Sequence, residues 1–270
     1  MASPSLLALD FDGVVCDGLR EYFESSWRTH RRLWGGAGDA PAGLAERFSA
    51  LRPLVESGWE MPLVVKALSA GLDEATVRAQ WPALAVKLLE PHTSAEVGAA
   101  LDRVRDEWIA TDRAGWLGYH RFYPGVIERL RALAGGPTRT VIITTKEGRF
   151  ARELLARQGL DFPADAIFGK ETRRPKADVL RSLRPGRGGV WFVEDRLQTL
   201  EHVAAQADLE DVRLFLAAWG YNFPAERERA RASTRIALLS PDDFARGFET
   251  WPQPATQPYQ RWLGAPPSSR

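Results

Sequence analysis

Two aspartates one residue apart close an apolar run, Leu6-Leu7-Ala8-Leu9-Asp10-Phe11-Asp12-Gly13, and they carry the first chemical expectation. Acids at i and i+2 leaving a buried strand can divide labour in one cavity. One attacks, while the other faces the same space from the tight turn that Gly13 permits. Three further clusters bear complementary groups. Thr144-Thr145 ends a β-branched run that begins at Thr140, and a basic turn spans Lys170-Glu171-Thr172-Arg173-Arg174-Pro175-Lys176. Glu194-Asp195 closes Gly189-Val190-Trp191-Phe192-Val193. A carboxylate nucleophile, a hydroxyl, a cation and a second acid pair suit phosphoryl transfer. A transferring phosphate needs a divalent cation and a lysine for its charge, hydroxyls and amides for its oxygens, and an attacking group in line with the leaving oxygen.

These clusters fall where strands should end. Apolar segments at 6–9, 140–145, 166–168, 189–193, 213–217 and 236–239 alternate with helical patterns, among them Val126-Ile127-Leu130-Leu133, Phe150-Leu154-Leu155 and Leu197 to Ala207. Strand and helix in alternation predict α/β architecture, a parallel sheet covered on both faces. Ligands of such sheets bind beyond the carboxyl ends of the strands, where all four clusters lie.

Between Gly18 and His120 the pattern is helical, with no convincing strand. Leu19, Tyr22, Phe23, Trp27, His30, Leu33 and Trp34 share one face; Leu44, Phe48 and Leu51 share another. Val97, Leu101, Val104 and Trp108 follow a capping box at Thr93-x-x-Glu96. The expected division is an α/β core at 1–17 and 121–249, an all-helical cap at 18–120, and a Pro-rich tail at 250–270 read as an extended strap or partly disordered end. Within the cap, Arg52 to Glu60 mixes charges with Pro53 and Gly58. That composition predicts either a loop facing the active site, with Arg52 and Glu56 reading the substrate, or a local Arg52–Glu56 ion pair on a solvated turn.

In these residues and their order the sequence resembles the haloacid dehalogenase (HAD) superfamily, in its phosphatase branch with a helical cap, phosphoglycolate phosphatase-like. The resemblance runs from Leu6 to about Phe244. Asp10-Phe11-Asp12-Gly13-Val14-Val15 resembles the family's first motif and Ile143-Thr144-Thr145-Lys146 its second. Phe122-Tyr123-Pro124-Gly125-Val126 resembles the return from the cap, and Ala218-Trp219-Gly220-Tyr221-Asn222 a loop of phosphoglycolate phosphatase-like members.

The resemblance implies a Rossmann-like parallel sheet with an inserted helical cap, and hydrolysis of a small phosphomonoester through an aspartyl-phosphate. Asp10 would be the nucleophile, and Asp12 the acid and then the base. Thr144 and Thr145 would contact phosphate, and Mg²⁺ would be held by Asp10, the Asp12 carbonyl and Asp195. Two positions depart from the family pattern. Arg174-Pro175 stands in the register of the usual lysine-proline, so Lys176 is the expected cation, with Lys170 and Arg174 as substitutes. Glu194 replaces a glycine and Thr199 a later acid; Glu194 either serves the metal or pairs with Arg196 at the surface. The same motifs would allow a sugar-phosphate mutase, and the altered positions would allow an idle phosphate-binding or regulatory protein.

Composition bounds the partners. Among 270 residues, 36 basic and 35 acidic side chains give a formal net charge of +1, with no basic stripe for nucleic acid. No segment suits a membrane span, and five residues before the first strand are too short for a signal peptide, so a cytoplasmic monomer or homodimer is expected. A lone cysteine, Cys16, reads as a packed thiol. His30, His92, His120 and His202 lack metal-ligand spacing and read as structural, and most of the ten tryptophans as packing.

Overall fold

An extended run buried on both faces has no reason to alternate polar with apolar residues, and Leu6-Leu7-Ala8-Leu9 does not. In the computed structural model, which describes residues 3–36, 38–183 and 189–256, this run is strand β1 (Leu6–Leu9) at the middle of the molecule. A short strand β2 (Cys16–Asp17) leads into helices α1 (Leu19–Trp34), α2 (Leu44–Leu51), α3 (Glu60–Ser69), α4 (Glu74–Leu89) and α5 (Ser94–Gly118). Strand β3 (Arg121–Phe122) returns antiparallel to β2, so the helical insert leaves and rejoins the sheet domain side by side. Then come α6 (Val126–Leu133), β4 (Arg139–Ile143), α7 (Gly148–Arg157), β5 (Ile167–Phe168) and α8 (Lys176–Ser182). The chain continues through β6 (Val190–Glu194), α9 (Leu197–Ala204), β7 (Arg213–Ala217), α10 (Pro224–Ala232), β8 (Ile236–Leu239) and α11 (Pro241–Ala245).

Six strands form one parallel sheet in the order β5-β4-β1-β6-β7-β8, the Rossmann-like α/β arrangement. Leu9 is in register with Ile142 on one side and Val193 on the other, so Asp10, Thr144 and Glu194 emerge at the same edge. Alternate residues of β1 feed opposite faces. Leu7 and Leu9 join a core with Ile142, Val193 and Phe215; Leu6 and Ala8 join one with Val141, Phe192 and Leu200. The helical insert has a core of its own around Phe48, Leu63, Val64 and Trp81.

Helix α1 departs from the sequence expectation. Its most buried positions include Glu21, Ser25, Ser26 and Thr29, while Phe23, His30, Leu33 and Trp34 are only partly buried. The helix packs against both α3 and α5, and small hydroxyl residues permit close approach because each hydroxyl is satisfied locally. Ser26 donates to the Tyr22 carbonyl and Thr29 to the Ser25 carbonyl one turn back. The predicted helix at 197–207 stops at Ala204, and Thr144 and Thr145 lie just beyond β4 rather than inside it. The Thr93–Glu96 capping box opens α5 as expected.

The segment 250–256 stays on the body: Trp251 is 2% exposed among Trp191, Phe215, Phe244 and Phe248. The rest of the predicted tail, 257–270, lies outside the described residues, as do residues 1–2 of the lead before β1. Among the described residues no helix is long and apolar enough to cross a membrane.

Candidate active site

The turn after β1 is folded by its own backbone: the N–H groups of Val15 and Cys16 both donate to the Phe11 carbonyl. Gly13 sits there at φ 93°, and a Cβ at this position would overlap the Asp195 carboxylate. Gly220 is needed for the same reason, since its Cβ would overlap the Asp195 side chain from the other direction. These two glycines let three loops converge on one carboxylate. The Tyr221 N–H donates to Asp195 Oδ2 at 2.8 Å, and the Asn222 amide donates to the Asp195 carbonyl at 3.0 Å. The loop at 218–222, recognised in the sequence without a role, is thus the clamp that fixes Asp195.

Asp10, Glu194 and Asp195 are buried together, and one carboxylate oxygen of each lies within 4.8 Å of the others. Lys176 donates to Asp10 Oδ1 at 2.7 Å and to Glu194 Oε2 at 2.6 Å. One ammonium is shared by Asp10 and Glu194, with the Asp195 carboxylate beside them. Burial pushes the Asp10 and Asp195 carboxyls up, with Glu194 adding to it in both cases. Burial works against the Lys176 ammonium, but Asp10 and Glu194 more than offset it and raise its pKa. Three hard oxygen donors with too little positive charge among them are a donor set that fits a divalent cation.

The basic turn sorts its cations. Lys176, at the start of α8, reaches the carboxylates, whereas Lys170 pairs with Asp102 of α5 at 2.9 Å and Arg174 folds back onto the Asp178 carbonyl. Glu194 is 1% exposed and accepts from the Arg196 backbone N–H at 3.1 Å. A surface pair between Glu194 and the Arg196 side chain therefore does not form. The Arg196 guanidinium instead turns to Glu56, reaching its carbonyl at 3.1 Å and its carboxylate at 3.3 Å.

Asp12 lines a cavity between the sheet domain and the helical insert. Among the described residues its buried Oδ1 has no hydrogen-bond partner, and Lys146 Nζ lies 3.4 Å from it. Thr144 is buried, with its hydroxyl accepting from the Lys146 N–H at 3.1 Å, and Thr145 is exposed on the cavity wall. The cavity above Asp12 has a volume of about 340 Å³ and is walled by Tyr22, Arg52, Trp59 and Arg105 from the insert and by Thr145, Lys146 and Phe150 from the sheet domain. The loop at 52–60 faces the site, and its Glu60 holds it in shape by accepting the N–H groups of Glu56 and Ser57, both at 2.7 Å. The alternative Arg52–Glu56 pair does not form: Arg52 lies in a 3₁₀ turn with its guanidinium between the Tyr22 and Tyr221 rings, and Glu56 goes to Arg196.

Lys146, Glu21 and Arg105 were not singled out from sequence. Arg105 forks onto Glu21 at 2.7 and 3.0 Å, and Ser25 and Trp116 donate to the same carboxylate. Burial raises the Glu21 carboxyl, but the Arg105 charge and hydrogen bonds, with Lys146 behind them, hold it well below the usual range. His120, buried and 3.5 Å from Lys146, is pushed down to about 4, first by burial and then by that lysine, so it is neutral at pH 7. Burial raises the Cys16 thiol, which agrees with a packed rather than reactive cysteine. The one signal for the Glu21 network was an acid heading a small polar stripe, Glu21-x-x-x-Ser25-Ser26-x-x-Thr29, in an otherwise apolar helix.

The family model of haloacid dehalogenase-like hydrolases matches residues 4–202. The chain belongs to this family. No curated protein gives a significant match. Solved structures that resemble this HAD protein include a predicted phosphatase from Clostridium acetobutylicum, 17% identical with a TM-score of 0.56, covering 90% of this chain and 97% of that one. Protein Tyrosine Kinase A of Mycobacterium tuberculosis is 20% identical with a TM-score of 0.56 and covers 93% and 97%. A predicted phosphoglycolate phosphatase from Haemophilus somnus 129PT is 17% identical with a TM-score of 0.56 and covers 91% and 96%. At these identities the likeness is one of fold.

Proposed function

We propose that the protein is a Mg²⁺-dependent phosphatase acting on a small phosphomonoester through an aspartyl-phosphate on Asp10. The observation that carries this reading is the division of the two aspartates: Asp10 is bonded to Lys176 beside Glu194 and Asp195, while Asp12 Oδ1 is left without a hydrogen bond above an open cavity. Asp10, the Asp12 carbonyl, Asp195 and Glu194 would hold Mg²⁺. When bound, Mg²⁺ neutralises phosphate charge and keeps the Asp10 carboxylate ionised.

An Asp10 oxygen attacks phosphorus and the bond to the alcohol oxygen breaks, with Asp12 supplying the proton that the departing alkoxide takes. Water then loses a proton to Asp12, attacks phosphorus, and breaks the bond to Asp10, releasing inorganic phosphate. Lys176 and the Thr144 and Thr145 hydroxyls would hold the phosphate oxygens. The helical insert covers the site as a cap. Ion pairs near the surface tie it to the sheet domain, among them Lys170–Asp102 at 2.9 Å, Arg196–Glu56 at 3.3 Å, Arg149–Asp106 at 3.6 Å and Arg113–Glu153, and the end of α5 is buried in the sheet domain's core, where Trp108, Trp116 and Leu117 pack with Ile127, Phe150 and Leu154. Each surface pair is worth about 0–1 kcal/mol, so the hold of the cap on the sheet domain comes mainly from the buried side chains of α5.

The reading is tested by incubating the purified protein with a panel of phosphomonoesters, with Mg²⁺ or with a chelator. Phosphate release that depends on the metal is expected. Absence of metal-dependent release across the panel would remove the proposal.

A further inference from the structure

Three cations gather on one side of the cavity. They surround one aromatic ring, that of Tyr22: the Arg52 guanidinium carbon lies 5.1 Å from its centroid, Lys146 Nζ 5.3 Å and the Arg105 guanidinium carbon 5.8 Å. All four side chains line the same space as Asp12. The other acids of the wall are engaged elsewhere, Asp102 with Lys170, Glu56 with Arg196 and Glu147 with Arg149. Arg105 is satisfied by Glu21.

Arg52 is not satisfied. Among the described residues no carboxylate lies within ion-pair distance of it; Nη1 reaches the Val55 carbonyl at 3.2 Å, and the buried Nε has no acceptor. Lys146, its side chain 8% exposed, has Asp12 at 3.4 Å, longer than a charged hydrogen bond, and a neutral His120 beside it. Like charges gathered in a half-closed space, with a buried N–H unfilled, are stabilised when an anion enters.

We propose that Arg52 and Lys146, with Arg105 beside them, form a second anion subsite, so that the substrate is a phosphomonoester whose leaving alcohol carries another anionic oxygen group, a carboxylate or a second phosphate. The phosphatase reading supplies the first end of this substrate, at Thr144 and Lys176. The second end lies toward the cap, where a fork from Arg52 can fill its free N–H. An alcohol bearing only hydroxyls would leave the Arg52 guanidinium without a charged partner.

Equilibrium binding keeps the test separate from turnover. Propylphosphonate, phosphonopropionate and propylenediphosphonate are titrated by calorimetry into the full-length protein with Mg²⁺. At least one of the two doubly anionic ligands should bind about tenfold to hundredfold more tightly than propylphosphonate, and which one gains tells carboxylate from phosphate. Arg52→Gln should erase most of that advantage, and Arg52→Lys, which keeps the charge between the rings but not the fork, should retain part of it. Lys146→Gln should reduce it independently, which covers an Arg52 variant that does not fold. No advantage in the wild type, or an advantage untouched at both positions, overturns the subsite. Loss of the phosphatase reading would look different: no phosphomonoester hydrolysed, with the ligand ranking intact and the subsite upheld.

Discussion

Lys176 Nζ donates to Asp10 Oδ1 at 2.7 Å across 166 residues of chain, and the bond is made by the start of α8 rather than by the basic turn before it. Pro175 precedes the helix, and α8 begins at the lysine itself. The ammonium is thereby aimed at the strand ends, while Lys170, six positions earlier, points to the insert.

Lys176→Ala should therefore weaken inhibition by inorganic phosphate by tenfold or more, since a charge-assisted hydrogen bond is worth about 1.5–3 kcal/mol. Lys170→Ala removes an exposed pair with Asp102 and should change phosphate binding little. Inhibition constants ranked the other way would make Lys170 the phosphate ligand.

Asp12→Asn should keep phosphate binding and lower kcat by roughly 10²–10⁴-fold, the usual worth of a positioned acid–base. The Asp12 carbonyl is unaltered by this change, so the Mg²⁺ concentration giving half-maximal residual activity should stay the same. Parallel losses in phosphate binding and turnover would make Asp12 a structural residue.

Glu21→Gln leaves Arg105 without its carboxylate and should destabilise the protein by about 3 kcal/mol at pH 7, the cost of breaking a buried pair. Because the native carboxyl is held below its ordinary value of 4.5, its contribution is complete above that pH and is lost as pH falls below it. Urea melts should show the gap between variant and wild type narrowing below pH 4.5. A gap constant with pH would mean that the Glu21 carboxyl titrates alike in the folded and unfolded protein, so that Arg105 does not stabilise its charge.

The strands were legible because a parallel sheet covered on both faces leaves uninterrupted apolar runs, as in Leu6-Leu7-Ala8-Leu9 and Val190-Trp191-Phe192-Val193. Carboxylates and hydroxyls that end such runs are visible for the same reason, and so Asp10, Asp12, Thr144 and Asp195 could be named together. What stayed hidden is pairing between distant elements. Glu21 and Arg105 are 84 residues apart, and Ser25, Ser26 and Thr29 look solvated until a second helix covers them. Arg52 and Glu56 have helical spacing, yet the chain turns from a 3₁₀ helix into a bend between them, so the spacing no longer places them face to face. Lys146 stood inside a recognised motif, but its aim toward Tyr22 and Asp12 depends on how the insert folds back over the sheet.

The claim that Asp10 is a nucleophile is tested most directly by trapping. Protein turning over a good phosphomonoester with Mg²⁺ is quenched in acid, digested, and its peptides weighed. A phosphoryl group on the peptide containing Asp10, absent from Asp10→Asn together with turnover, is the expected result. Undiminished hydrolysis by Asp10→Asn, with no phosphorylated peptide in either protein, would contradict the account.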